Sequence, residues 1–131
     1  DIYVADTVGE LGLLYRVAPA VFIGGSLIKH GGQNPIEAAK LGSAILHGPH
    51  VWNFSEIYAA LDDAHGAEPV ADSDRLVAHL AAWLSNPDAC ARVADTGHMV
   101  VETLGGALDR TLASLDPYLM QLQLHQRARH A

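Results

Sequence analysis

A glycine-rich loop between a predicted buried strand and a helix is the part of this sequence best suited to chemistry. An apolar run, Ala20–Ile23, ends at Gly24-Gly25-Ser26, and a second glycine pair, Gly31-Gly32, follows. The segment Asn34-Pro35-Ile36-Glu37 then opens a helix. Glycines let a ligand approach the backbone, and the free N–H groups at a helix start favour negative charge. This order of elements predicts a pocket for an anionic ligand.

Glu37 supports two interpretations that use the same carboxylate oxygens. In the first, Asn34-Pro35-Ile36-Glu37 is a capping box, in which Glu37 accepts a hydrogen bond from the Asn34 N–H. In the second, the carboxylate accepts hydrogen bonds from a ribose diol, as acidic residues do in nucleotide-binding folds. The local sequence alone favours the cap, and the binding role stays open beside it.

A second strand-to-helix turn, Val8-Gly9-Glu10, also has a glycine at its tightest point. By itself this is an ordinary turn, although its backbone N–H groups could face a phosphate or a base edge. Turns that follow successive parallel strands lie on the same carboxyl edge of the sheet, where ligands bind in open α/β folds. The two turns together therefore predict one binding site.

Other reactive residue types give weaker signals. The eight histidines lack zinc-type spacing, so a structural metal is not expected, and His47 and His50 are assigned to ordering a loop or touching substrate. Ser26 lacks the second glycine of a nucleophile elbow and is predicted to be a loop hydroxyl that bonds backbone or ligand. Cys90 has no activating neighbour in its helical pattern.

Composition limits the classes of function. The formal charge of −7 argues against broad nucleic-acid binding, which depends on basic patches. No apolar run approaches the roughly 18 residues of a membrane helix, and no signal peptide is visible. A length of 131 residues suits one domain. Because the sequence starts at Asp1, without Met and on a strand-like segment, we expect a piece of a longer protein.

The order of elements predicts an α/β fold with a short parallel sheet of three to four strands, flanked by helices, and a helical carboxyl-terminal part. The predicted strands cover residues 2–5, 20–23, 44–46 and 68–70. The predicted helices cover residues 9–17, 35–41, 54–64, 73–84, 86–104 and 107–115, before a last polar helix or tail. Asp6 or Thr7, Asn34, Asn53 and Ser73 are the predicted caps. The predicted inward stripe of the helix over 73–84 is Leu76, Val77, Leu80 and Leu84.

Several segments resemble the Kdo transferases, the 3-deoxy-D-manno-octulosonic-acid transferases of lipopolysaccharide assembly. The matching segments are Val8-Gly9-Glu10-Leu11, Phe22-Ile23-Gly24-Gly25-Ser26-Leu27, residues 31–38, Gly48-Pro49-His50-x-x-Asn53-Phe54, residues 105–108 and residues 115–119. They stand in the family's order and spacing and span essentially the whole chain. One departure is Gln33, where many members have His.

The resemblance implies a partial Rossmann-like fold, the later part of the second, nucleotide-sugar-binding domain of a GT-B enzyme. It also implies a site for the donor CMP-Kdo, with Glu37 on the ribose and Gly24, Gly25 and Ser26 shaping the floor of the cleft. The positions that match donor-binding segments are Val8, Gly9, Glu10, Gly24, Gly25, Ser26, Asn34, Pro35, Ile36 and Glu37, with His50 and Asn53 on the adjoining loop.

The reaction implied by the resemblance transfers Kdo from CMP-Kdo to a lipid A precursor without a metal or other cofactor. The general base, the acceptor site and the membrane anchor would lie in an amino-terminal domain that this sequence does not match. We therefore expect this part to be inactive alone, and the whole enzyme to work at the cytoplasmic face of the bacterial inner membrane. The alternatives are a GT-B enzyme that uses another nucleotide sugar and a non-catalytic α/β interaction module.

Overall fold

Helices and strands alternate along the part of the chain that the computed structural model describes, residues 2–106, 114, 115 and 118. The helices are α1 (Leu11–Val17), α2 (Ile36–Lys40), α3 (Ser55–Asp63), α4 (Ser73–Ser85) and α5 (Pro87–Leu104), with a 3₁₀ turn at Trp52–Phe54. The strands are β1 (Ala20–Ile23), β2 (Ala44–His47) and β3 (Ala67–Pro69). The predicted helix over 107–115 and the tail after it lie outside the described residues, apart from isolated positions.

A parallel sheet in the order β1-β2-β3 forms the centre of the described structure. Ala20 pairs with Ala44, and Ile45 pairs with Ala67. All four residues of β2 are buried, as expected for a central strand covered by helices on both faces. The predicted α/β class and the short parallel sheet are confirmed; β2 is one residue longer than predicted, and β3 begins and ends one residue earlier.

Side chains that alternate along the strands divide the core between the two faces of the sheet. On one face, Ile23 and Ile45 pack with Tyr58 and Leu61 of α3. On the other face, the core is formed by Ala44, Leu46, Val70, Trp83, Cys90 and Ala94. The long helix α5 contributes to both clusters, through Cys90 near its start and Val101 near its end. This packing fixes β1, whose carboxyl end leads into the glycine-rich loop, and β2, whose carboxyl end leads into the loop that begins at Gly48.

The predicted strand over residues 2–5 is wrong. Ile2, Tyr3 and Val4 are 93%, 74% and 74% exposed, and the segment has no strand geometry. An apolar run becomes a strand only when a neighbouring strand accepts its backbone hydrogen bonds. Among the described residues no segment pairs with it, and the described sheet ends at β1.

The predicted caps of α1 and α4 do not form. α1 begins at Leu11 rather than Gly9, which has a left-handed φ of 100°. The Thr7 hydroxyl donates to the Glu10 carboxylate instead of capping the helix. α4 is capped by Asp72, not Ser73, because Asp72 Oδ1 accepts from the backbone N–H of Arg75 at 2.8 Å.

The inward face of α4 is rotated from the predicted stripe. Val77 and Leu84 are 65% and 72% exposed, whereas Trp83 is buried with Leu76 and Leu80 packed beside it. Trp83 buries a large apolar area, so its position decides which side of the helix faces the core. The predicted end of α5 is confirmed, because Gly105 takes an extended conformation after Leu104. No helix in the described portion is both long and apolar enough to cross a bilayer.

Candidate functional site

An open cleft of about 280 Å³ lies between α1 and the carboxyl end of β1. Its lining residues are Leu11, Tyr15, Phe22, Ile23, Gly24, Gln33, Asn34 and Glu37. They come from α1, from the end of β1, and from the loop and helix that follow β1. The cleft therefore lies at the edge of the sheet where the two predicted turns were expected to converge.

The carboxylate of Glu37 lies beside α1. A methyl group built on Gly12 would be 3.3 Å from Glu37 Oε1, so the glycine leaves the space that the carboxylate occupies. Asn34 Oδ1 accepts from the Ile36 N–H at 2.9 Å, but the N-cap position of α2 is Pro35 rather than the predicted Asn34. Pro35 was predicted to be the first residue of α2, but the helix begins one residue later, at Ile36. Glu37 forms no capping-box bond in the described structure, which leaves its oxygens available to a ligand.

Two tyrosines lie near the cleft, and Tyr15 is the one close to the Glu37 carboxylate. Burial, and secondarily the charge of Glu37, raise the pKa of Tyr15. Tyr58 is almost fully buried, and its hydroxyl donates to the Gln33 carbonyl at 2.8 Å. Burial raises the pKa of Tyr58 far above the ordinary value, with smaller contributions from Tyr15 and Asp62. Both phenols are thus neutral donors at physiological pH, and Tyr58 fixes the backbone beside the cleft.

The glycines of the loop after β1 are required by its geometry. Gly25, Gly31 and Gly32 have φ angles of 71°, 102° and 73°, which other residues rarely adopt. The Gly32 N–H donates to the Gly25 carbonyl at 3.1 Å, and the Gln33 N–H donates to the Gly24 carbonyl at 3.3 Å. These bonds fold the loop back on itself and bring Asn34 and Glu37 next to the end of β1.

The loop that follows β2 supports the glycine loop through backbone hydrogen bonds. Ser26 is fully buried, and its hydroxyl donates to the Ile23 carbonyl and accepts from the Gly48 N–H at 2.8 Å. The His50 N–H donates to the Ser26 carbonyl at 2.9 Å. Ser26 is thus a loop hydroxyl that bonds backbone, and its part in a ligand site would be to shape the loop.

Asn53 does not cap α3, contrary to the prediction. Its backbone N–H donates to the Gly31 carbonyl at 3.1 Å, and its side-chain amide lies 3.3 Å from the carbonyls of His30 and Gly32. The 3₁₀ turn displaces the start of α3 to Ser55, so the amide is no longer placed at the helix end. Asn53 instead ties the second glycine pair to the loop after β2.

His47 orders the same loop, which is one of the two roles predicted for it. Its ring nitrogens lie 2.8 Å from the Gly48 carbonyl and 2.9 Å from Asp62 Oδ1. The ring is buried and packs against Tyr58 with centroids 4.5 Å apart. Both ring nitrogens are therefore used within the protein. The ring of His50 contacts the ring of Trp52 edge to face, with the ring centroids 5.7 Å apart.

The known proteins that this chain resembles in sequence and in structure come from one family. No family model matches the chain. The 3-deoxy-D-manno-octulosonic acid transferase of Haemophilus influenzae is 36% identical over 120 residues, which is 91% of this chain and 28% of that protein. A probable mitochondrial 3-deoxy-D-manno-octulosonic acid transferase of Arabidopsis thaliana is 43% identical over 91 residues, 67% of this chain and 20% of that protein.

A solved structure agrees in both sequence and fold. It is the C-terminal CMP-Kdo binding domain of WaaA from Acinetobacter baumannii, with a TM-score of 0.71 and 32% sequence identity. The match covers 76% of this chain and 52% of that one. The chain belongs to the Kdo transferase family. It spans little more than a quarter of the length of the Haemophilus relative.

Against this Kdo transferase background, the structure brings together some of the predicted donor residues. Gly24, Asn34 and Glu37 line the cleft. Val8 is fully exposed and Gly9 is exposed, and neither lines the cleft. Glu10 directly precedes α1, and Leu11, the first residue of α1, lines the cleft. The donor-binding role of all these positions stays a prediction.

The remaining predicted positions in this segment do not line the cleft. Pro35 is buried, and Ile36 faces a different cavity, next to Lys40 and Glu56. Sequence reasoning did not assign Gly12 and Tyr15 to the site. Their spacing of three residues, which places them on one face of α1, was the available signal.

Other candidate sites fit a Kdo transferase donor site less well. A cavity of about 250 Å³ at the amino edge of the sheet is lined mainly by apolar groups, including Trp83 and Cys90. Cys90 is buried, with Sγ 3.3 Å from the Pro19 carbonyl, and burial raises its pKa. Within residues 2–106 and the three isolated described positions, no group of three His, Cys, Asp or Glu side chains could hold a metal ion.

Proposed function

We propose that this chain is the donor-binding part of a Kdo transferase and that the cleft between α1 and β1 holds the CMP half of CMP-Kdo. The observation that carries this proposal is the convergence of Gly24, Asn34 and Glu37 on one cleft. It is supported by the similarity to a solved domain described as CMP-Kdo binding. The cleft is near the lower limit of ordinary ligand pockets, as expected if another part of the enzyme completes it.

In this proposal the loop backbone holds the nucleotide phosphate and Glu37 holds the ribose. α1 and α2 are only seven and five residues long, so their dipoles are small and the loop N–H groups matter more. Hydrogen bonds fixed before the reaction would offset the charge that grows on the CMP phosphate as the glycosidic bond breaks. The chain itself would contribute positioning and leaving-group stabilisation.

The whole enzyme, in the same proposal, has the GT-B arrangement and transfers Kdo to a lipid A precursor at the inner membrane without a metal. The general base, the acceptor site and the membrane contact would come from an amino-terminal domain. The 131-residue chain alone should therefore bind donor without transferring Kdo. Transfer by the purified chain would contradict this division of roles.

Calorimetric titration with CMP and UMP tests the donor proposal. We expect the chain to bind CMP more tightly than UMP, and Glu37→Gln to weaken CMP binding roughly tenfold or more, because a hydrogen bond to a charged group is lost. Glu102→Gln, an exposed change on α5, is the matched control and should leave CMP affinity unchanged.

Each alternative has its own outcome in this titration. Tighter binding of UMP than CMP would favour a GT-B enzyme with another nucleotide sugar. Absence of binding to either nucleotide would contradict the proposal and favour an interaction module. Equal CMP affinity of the Glu37→Gln variant and the unaltered chain would remove Glu37 from the site.

A further inference from the structure

The hydroxyl of Tyr15 is an unused hydrogen-bond donor in the cleft. Tyr15 is half-buried, lines the cleft and packs its ring against the core that contains Ile23. Its hydroxyl forms no hydrogen bond within the described residues, although every fully buried side-chain nitrogen or oxygen there has a partner. The unpaired Tyr15 hydroxyl is therefore not fully buried, and Tyr15 is one of the residues that line the cleft. Partly buried tyrosines usually satisfy their hydroxyl, so a free one is a candidate for a ligand contact.

A carboxylate that can only accept hydrogen bonds lies on the same wall. Gly12 is one helical turn before Tyr15, and the space above its Cα is occupied by the Glu37 carboxylate, 3.3 Å from where a methyl would be. The charge of Glu37 contributes to the raised pKa of Tyr15, in agreement with their proximity. The wall thus presents a neutral donor next to an ionised acceptor.

We propose that Tyr15 is a ribose-binding residue that works as a pair with Glu37. A sugar hydroxyl is both a donor and an acceptor, so it can donate its hydrogen to the Glu37 carboxylate while its oxygen accepts from the Tyr15 phenol. A vicinal diol matches this pair better than a phosphate does, because a phosphate next to the carboxylate would meet like charge. The inference rests on the proposed nucleotide site and adds to it a residue that recognises the sugar.

Tyr15→Phe tests the pair, because it removes the hydroxyl and keeps the ring that packs in the core. Titrations of the chain with CMP and with 2′,3′-dideoxy-CMP separate the diol from the rest of the nucleotide. We expect Tyr15→Phe to weaken CMP binding roughly 3- to 10-fold, the effect of one hydrogen bond, and to leave dideoxy-CMP binding unchanged. Tyr3→Phe is the matched control, since Tyr3 is 74% exposed and does not line the cleft. It should change neither affinity.

Two results would overturn the role of Tyr15 while leaving the donor site intact. One is unchanged CMP affinity in Tyr15→Phe. The other is an equal loss for CMP and dideoxy-CMP, which would indicate a phosphate contact or a structural effect. Failure of the unaltered chain to bind CMP would instead reject the donor site, and the Tyr15 assignment with it.

Discussion

Gly48→Ala is expected to lower the free energy of unfolding by roughly 3 kcal/mol and to abolish CMP binding. A methyl at Gly48 would lie 2.2 Å from the Ser26 carbonyl oxygen and 2.4 Å from its carbonyl carbon. Both are backbone atoms, so a side-chain rotation cannot relieve the overlap. The two loops at the carboxyl edge would have to separate. The hydrogen bonds from the Gly48 and His50 N–H groups to Ser26 would then be lost.

Chemical denaturation of Gly48→Ala beside Gly24→Ala measures this effect. Gly24 lies in the same region, yet a methyl there has no heavy atom within 4 Å. Gly24→Ala should therefore leave the free energy of unfolding unchanged or raise it by up to about 1 kcal/mol. Similar stabilities of the two variants would show that the loops are not in the close contact described here.

The parts of the fold that sequence predicted well are those set by local patterns. The apolar run Ala20–Ile23 and the Asn86-Pro87 start and Gly105 end of α5 are found at the predicted positions. Strand formation at residues 2–5 could not be decided in this way, because it depends on a partner strand elsewhere. The choice between Trp83 and Leu84 as the inward residue of α4 likewise depends on the shape of the neighbouring core.

Some residues of the candidate site could likewise be found from local sequence motifs, whereas others depend on how the helices pack. Motifs identified Gly24, Asn34 and Glu37, because glycine pairs and helix starts are visible in the sequence. The spacing of Gly12 and Tyr15 places them on one face of α1, but only the packing of α1 against α2 brings that face to Glu37. Prediction from sequence therefore found one wall of the cleft, and the structure supplied the other.

The motif that includes Gly48, His50 and Asn53 gains a physical explanation from the loop contacts. The sequence resemblance placed His50 and Asn53 near the donor, but the hydrogen bonds of Asn53 and of the His50 backbone go to the glycine loop. The loop after β2 thus acts as a support layer, and the glycine loop and α1 form the walls of the cleft. Substitutions in the support layer should therefore affect stability and binding together.

Gly97→Ala is expected to destabilise the fold by roughly 2–3 kcal/mol, although alanine normally improves a helix interior by about 1 kcal/mol. Gly97 lies in α5, and a methyl on it would be 2.6 Å from the Gly66 carbonyl oxygen. Gly66 directly precedes β3 and donates its N–H to the Leu61 carbonyl of α3 at 2.7 Å. The methyl would push α5 away from this turn and open the core that contains Val101.

Thermal or chemical unfolding of Gly97→Ala beside Gly12→Ala separates backbone overlap from side-chain contact. At Gly12 the nearest atom is the end of the flexible Glu37 side chain, so the methyl displaces a carboxylate rather than the backbone. Gly12→Ala should keep the free energy of unfolding within about 1 kcal/mol and weaken CMP binding. Gly97→Ala should instead lower the free energy of unfolding, because α5 contributes side chains to both core clusters. A stabilising effect of Gly97→Ala would mean that α5 and the turn before β3 are farther apart than the structure places them.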